Sequence, residues 1–136
     1  SANMYGMHGN NLKPARLKRP SCIHPQVCPN LNTDHSKLLE IYHAVDALPG
    51  IKKSFIGSGV RYDLLLHRSK DENINAVARQ YTRELITKHV SGRLKVAPEH
   101  TSDAVLKLMR KPSFKLFGEF KCIFDASTVR SISTSR

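Results

Sequence analysis

The chain has 136 residues, 40% of them hydrophobic, which is the size of one modest domain with enough apolar material for a core. No window approaches the ~20 consecutive apolar residues of a membrane span, and the opening SANMYGMHGNN has neither the charged nor the apolar region of a targeting signal. These features make the cytoplasm the expected compartment. Lys and Arg number 22 against 11 Asp and Glu, a net charge of +11 that attracts polyanions without defining a site for them.

Residues 1–33 are rich in Asn, Gly and Pro without a period of 2 or 3.6, and are read as an irregular, cysteine-containing loop segment. Lys13, Arg16, Lys18 and Arg19 form its dense basic cluster. The structured part is expected over 34–125, followed by a polar, low-complexity tail over 126–136 that reads as disordered.

A first helix is expected from Asp34–Ser36, carrying Leu38, Leu39, Tyr42, Val45 and Leu48 on one face and stopping at Pro49-Gly50. The run KKSFIGSGV, 52–60, reads as a strand leading into a glycine-containing, ligand-facing loop, and RYDLLL as a turn or short helix. A long helix follows over 71–89, with Ile74, Val77, Tyr81 and Leu85 at helical spacing and Gly92 closing it. Residues 93–97 read as a second strand ended by Pro98. Thr101, Ser102 and Asp103 are candidate caps for a helix carrying Val105 and Leu106, and a last helix over 113–124 carries Phe117, Phe120 and Phe124. Cys122, between those phenylalanines, reads as a core residue, and Tyr81 and His89 as packing or interfacial residues.

Helix, strand, helix, strand, helix implies a crossover between two parallel strands, hence an α/β chain with about two parallel strands and four helices. Two such strands are too few to cover four amphipathic helices, so either further strands lie within residues 1–33 or the chain is a piece of a larger α/β protein. Open edges on such a sheet would favour self-association.

Three runs, PSCIHPQVCPNLNTDH, GIKKSFIGSGVRYDLLL and GRLKVAPEHTSDAVLKLMRKP, closely resemble the YgiQ family of radical SAM proteins, and SANMYG looks like residues that follow the second barrel strand there. The resemblance covers residues 1 to about 125. It implies an internal fragment of a radical SAM (β/α) barrel whose intact form binds S-adenosylmethionine and a 4Fe-4S cluster. In that family three cysteines of a CxxxCxxC loop hold the cluster, which supplies the electron that cleaves the sulfonium bond. This chain carries no CxxxCxxC, so the resemblance implies a fragment that by itself binds neither cofactor and is inactive, of unknown substrate, small molecule or macromolecule. The tail after Asp125 departs from the family's pattern, as a shifted reading frame would.

Two groups of candidate ligand residues follow the two expected strands. Ser58, Arg61 and Asp63 lie where parallel-sheet proteins place ligands, with Arg61 suited to clamp a carboxylate. The plainer alternative is a turn in which Arg61 and Asp63 pair locally. Lys95, Glu99 and Thr101 stand in the same relation to the second expected strand, and by similarity to radical SAM barrels would contact the ribose or amino-acid part of S-adenosylmethionine. The alternative there is a helix cap with Glu99 in solvent.

Cys22 and Cys28 are candidate metal ligands. Their five-residue gap lies outside the usual zinc spacing, and His24 and His35 would have to complete the set. Two other functions remain open from composition alone: a small basic nucleic-acid-binding module, and a zinc-stabilised interaction domain.

Overall fold

The computed structural model describes residues 21–133, the side chains from 130 onward excepted. The basic cluster Lys13 to Arg19 lies outside the described residues. Among the described residues five helices follow in order: α1 (Ser36–Asp46), α2 (Tyr62–Leu66), α3 (Glu72–Lys88), α4 (Asp103–Leu108) and α5 (Phe114–Ser133).

Local chemistry explains where they start and stop. The Asp34 carboxylate accepts the backbone N–H and the hydroxyl of Ser36 at 3.0 and 2.8 Å, satisfying groups that the first turn of α1 leaves open. Asp71 caps α3 by accepting from the N–H of Asn73 at 2.9 Å. Beyond α1 the chain turns at Gly50, whose φ of +86° is costly for any side-chain-bearing residue. Asp103, the first residue of α4, accepts from the N–H of Phe114 at 2.9 Å and from the Ser113 hydroxyl at 2.8 Å, tying the start of α4 to the start of α5. Those two bonds hold its carboxyl below the usual carboxylate range, the bond from Phe114 contributing most.

The core forms where α1, α2, α3 and α5 meet. Leu38 and Leu39 from α1, Tyr62 and Leu65 from α2, Tyr81 and Leu85 from α3, and Phe120 from α5 are buried together with Val60. An off-parallel row of rings runs through it. His35 stacks on Tyr81 with centroids 5.0 Å apart, and Tyr42 reaches both Tyr81 at 6.0 Å and His89 at 4.7 Å. His89, only 1% exposed, is thus a packing residue.

The α/β expectation is not met: no β-strand occurs among the described residues, so the two parallel strands of a (β/α) barrel fragment are absent and the architecture is helical. Residues 52–60 and 93–97 are extended, and one backbone bond, from the N–H of Val60 to the carbonyl of Lys95 at 3.0 Å, joins them. A second, from Ile56 N–H, goes instead to the carbonyl of His89 just beyond α3 at 2.9 Å. A parallel pair is stable when further strands and helices on both faces support it, and the described residues supply no third strand. The segments therefore lie as extended connections whose Ile56, Leu94 and Val96 pack on the helical core. With no sheet formed, the open sheet edges expected to drive self-association are not present among these residues.

Two further differences concern α5. It continues through residues 126–133, past Asp125, and Cys122 on it is exposed rather than in the core.

Candidate functional site

The sequence GVRYD, 59–63, forms one wall of a cleft. Val60 is buried at 4% exposure and anchors the segment, and Tyr62 is buried at 3% with its ring 5.9 Å from Phe120 and 6.0 Å, edge-on, from Phe117. With Val60 and Tyr62 committed to the core, Arg61 between them is the half-buried residue at the start of α2. Desolvation is the main cause that raises the phenol of Tyr62 above its ordinary value, so it serves as a neutral wall.

The cleft has a volume of about 320 Å³, within the range of small-molecule sites, and is lined by Ser58, Arg61, Tyr62, Asp63, Glu99 and Lys111 among others. Four of the six residues expected to bind a ligand, Ser58, Arg61, Asp63 and Glu99, thus converge from two separate stretches of chain. Lys95 and Thr101 do not line the cleft. Both are exposed, and Lys95 enters the local structure through its carbonyl.

The charges of the cleft are arranged in pairs. Arg61 donates from Nε to Oδ1 of Asp63 at 2.8 Å, and its Nη2 pairs with Oδ2, so the local pairing anticipated as an alternative is formed. Donating to the Asp63 carboxylate raises the guanidinium further above its already high ordinary value. Opposite, Lys111 Nζ donates to Oε1 of Glu99 at 3.0 Å. Glu99 adopts φ of +68°, the left-handed region, which aims its side chain back toward the cleft at a cost of about 1 kcal/mol. Lys111 is the residue that sequence reasoning missed. Nothing in its local run RKPS signals a site, and only the return of the chain after α4 brings it to Glu99.

Asp63 also lines a second cavity, of about 340 Å³, whose other wall is the cysteine loop through Ile23, Pro25 and Val27. In that loop Cys28 is buried and its N–H donates to the carbonyl of Cys22 at 2.7 Å, closing a turn with the two thiols unbonded. Among the described residues no three His, Cys, Asp or Glu side chains come together in a way that could hold a metal ion. The cysteines present therefore do not fit an iron-sulfur cluster: Cys22 and Cys28 are two ligands without a third, and Cys122 is on the surface of α5.

Comparison with known proteins places the chain among longer relatives. It is 71% identical over 126 residues to a UPF0313 protein of Bacteroides thetaiotaomicron, the match covering 92% of this chain and 20% of that protein. A UPF0313 protein of Porphyromonas gingivalis is 64% identical over 121 residues, 88% of this chain and 19% of its own length. One from Pseudomonas syringae pv. tomato is 42% identical over 129 residues, covering 94% of this chain and 15% of that protein. The chain thus spans about a fifth of the length of the curated relatives it matches. No protein-family model matches it, and no solved structure does. Among the described residues no helix is long and apolar enough to cross a membrane.

Proposed function

From a chain homologous to a segment of the UPF0313 proteins, the family that includes YgiQ-like radical SAM proteins, we propose a part of a radical S-adenosylmethionine enzyme that forms one wall of its ligand site and does not turn over alone. The observation that carries this reading is the convergence of Ser58, Arg61, Asp63 and Glu99 on one cleft from two segments 36 to 41 positions apart in chain order, with Lys111 added by the fold.

The chemistry of that cleft suits the amino-acid end of S-adenosylmethionine. Arg61 and Lys111 would meet a carboxylate, while Glu99 and Asp63 would accept from an ammonium group or ribose hydroxyls. Binding there exchanges partners within existing ion pairs, so no isolated charge has to be buried. An iron-sulfur cluster, where the intact protein holds one, supplies the electron for cleavage of the sulfonium bond. This chain's cysteines do not hold it, and its residues contribute binding and orientation only.

The test uses both lengths of protein. The full-length Bacteroides thetaiotaomicron relative, reconstituted anaerobically with iron and sulfide and given a reductant, is expected to release 5′-deoxyadenosine from S-adenosylmethionine. The 136-residue chain treated the same way is expected to release none. A full-length relative that binds no cluster and cleaves nothing would overturn the reading, as would turnover by the short chain.

A further inference from the structure

A third cavity lies between the end of α2, α3 and α5, with a volume of about 260 Å³. Its charged lining consists of three arginines: Arg68 follows α2, and Arg79 and Arg83 stand one turn apart on α3. No carboxylate lines it. Leu65, Leu66 and Ile123 form an apolar floor, and Ser127 of α5 supplies a hydroxyl at the rim.

The nearby acids are committed elsewhere. Glu72 accepts from Arg79 at 2.7 Å and from the Asn75 amide at 3.0 Å, at an exposed position outside the cavity. Glu84 is held by His43 at 2.7 Å and Gln80 at 3.0 Å. Three guanidiniums around one cavity share a single exposed carboxylate, Glu72, which Arg79 hydrogen-bonds and Arg68 acts on through charge alone, so they repel one another and a bound anion relieves that repulsion.

The occupant's chemistry follows from the lining. Guanidinium forks match the tetrahedral oxygens of a phosphate, and a phosphate is the common biological anion that three of them can share. An apolar floor beside the anion site favours a phosphate carried on a ring system rather than inorganic phosphate. We propose that the cavity framed by Arg68, Arg79 and Arg83 binds the phosphate of a nucleotide, with the sugar or base lying over Leu66 and Ile123. The same chemistry is offered by a free nucleotide and by a nucleic-acid chain. The net charge of +11 adds attraction for the second. This site is separate from the Arg61 cleft, and each can stand without the other.

The test is fluorescence anisotropy of a labelled single-stranded oligoribonucleotide with the full 136-residue chain across a salt series. The Arg68→Gln/Arg83→Gln variant is expected to weaken binding tenfold or more. It should also lower the slope of log affinity against log salt by roughly 0.7 for each arginine removed. The charge-matched Lys115→Gln/Lys121→Gln variant, at two α5 positions that do not line the cavity, should leave affinity within about threefold. Arg83→Lys should keep the salt slope yet lose affinity, because an ammonium cannot make the two-pronged contact. Far-UV circular dichroism checks that each variant retains its helices. Displacement of the oligonucleotide by 5′-AMP would assign the site to a free nucleotide, and resistance to 5′-AMP would assign it to chain phosphates; both support the proposal. It is overturned if neither probe binds, or if the lysine variant weakens binding as much as the arginine variant.

Discussion

The guanidinium of Arg61 and the carboxylate of Asp63 close on each other across a single intervening residue, Nε to Oδ1 at 2.8 Å, at the first turn of α2. The two ends of this pair are unequally buried: the side chain of Asp63 is 5% exposed and that of Arg61 30%. Removing the arginine strands a buried carboxylate, whereas removing both leaves nothing to strand. Arg61→Gln is therefore expected to cost about 3 kcal/mol in urea unfolding, and adding Asp63→Asn to recover more than half of it. Additive losses would mean that the pair is not coupled.

Glu99 carries a different tension. Its left-handed backbone disfavours a side chain, while its ion pair with the half-exposed Lys111 contributes only ~0–1 kcal/mol. Glu99→Gly should thus leave stability within about 1 kcal/mol despite losing the pair. Glu99→Val, which keeps the strain and adds a β-branch, should cost distinctly more. Thermal unfolding of the two variants side by side distinguishes them, and equal losses would contradict the backbone explanation.

His35 links stability to pH. Burial lowers its pKa from 6.5 to about 4, outweighing the upward pull of Thr33 and of the Asp34 carboxylate. The unfolded chain takes up a proton near pH 6.5 and the folded one does not, so the folded state loses ground as pH falls from 6.5 toward 4 and levels off below that. The difference corresponds to about 3 kcal/mol from this residue. His67, lowered by burial and then by Arg68, acts in the same direction. In His35→Phe, which preserves the ring stack on Tyr81, the stability-versus-pH curve between 6.5 and 4 should be markedly flatter. An unchanged slope would show that His35 is not the group responsible.

The helical core predicts a sharp contrast between two leucines. Leu85 is fully buried among α1, α2 and α5 residues, and Leu108 is 86% exposed. Leu85→Ala should cost about 2–5 kcal/mol and Leu108→Ala close to nothing. Comparable losses at both would mean that another surface covers Leu108 in solution.

Much of this architecture was legible in the sequence because helices announce themselves locally. Leu38, Leu39 and Tyr42, or Tyr81 and Leu85, recur at helical spacing, and the flanking Pro49-Gly50 and Asp71 mark where the pattern starts or stops. Strands do not announce themselves in the same way. Residues 52–60 and 93–97 have the composition of strands and extended backbones, yet a ladder depends on partners elsewhere in space that no local pattern reveals. Cys122 was misread for a geometric reason. Two residues along a helix amount to about 200°, so when Phe120 faces the core its neighbour-but-one faces solvent. The polar run after Ala126 has little to hold it as an isolated peptide, but it extends a helix already seated on α2 and α3, which removes the need for a new nucleus. Of the candidate site, the sequence showed Ser58, Arg61, Asp63 and Glu99 through their place after extended runs. Lys111 could not be found, since its proximity to Glu99 exists only after folding.

Ligand binding at the Arg61 cleft is measured most directly by an amide-resolved NMR titration of the chain with S-adenosylmethionine, followed at equal ionic strength with methionine and with adenosine. Binding at the Arg61 cleft predicts saturable shifts concentrated at Ser58, Arg61, Asp63, Glu99 and Lys111, with methionine reproducing a subset of them and with the shifts lost in Arg61→Gln. Saturable shifts confined to another part of the chain, or none up to millimolar ligand with the helices intact, would contradict it.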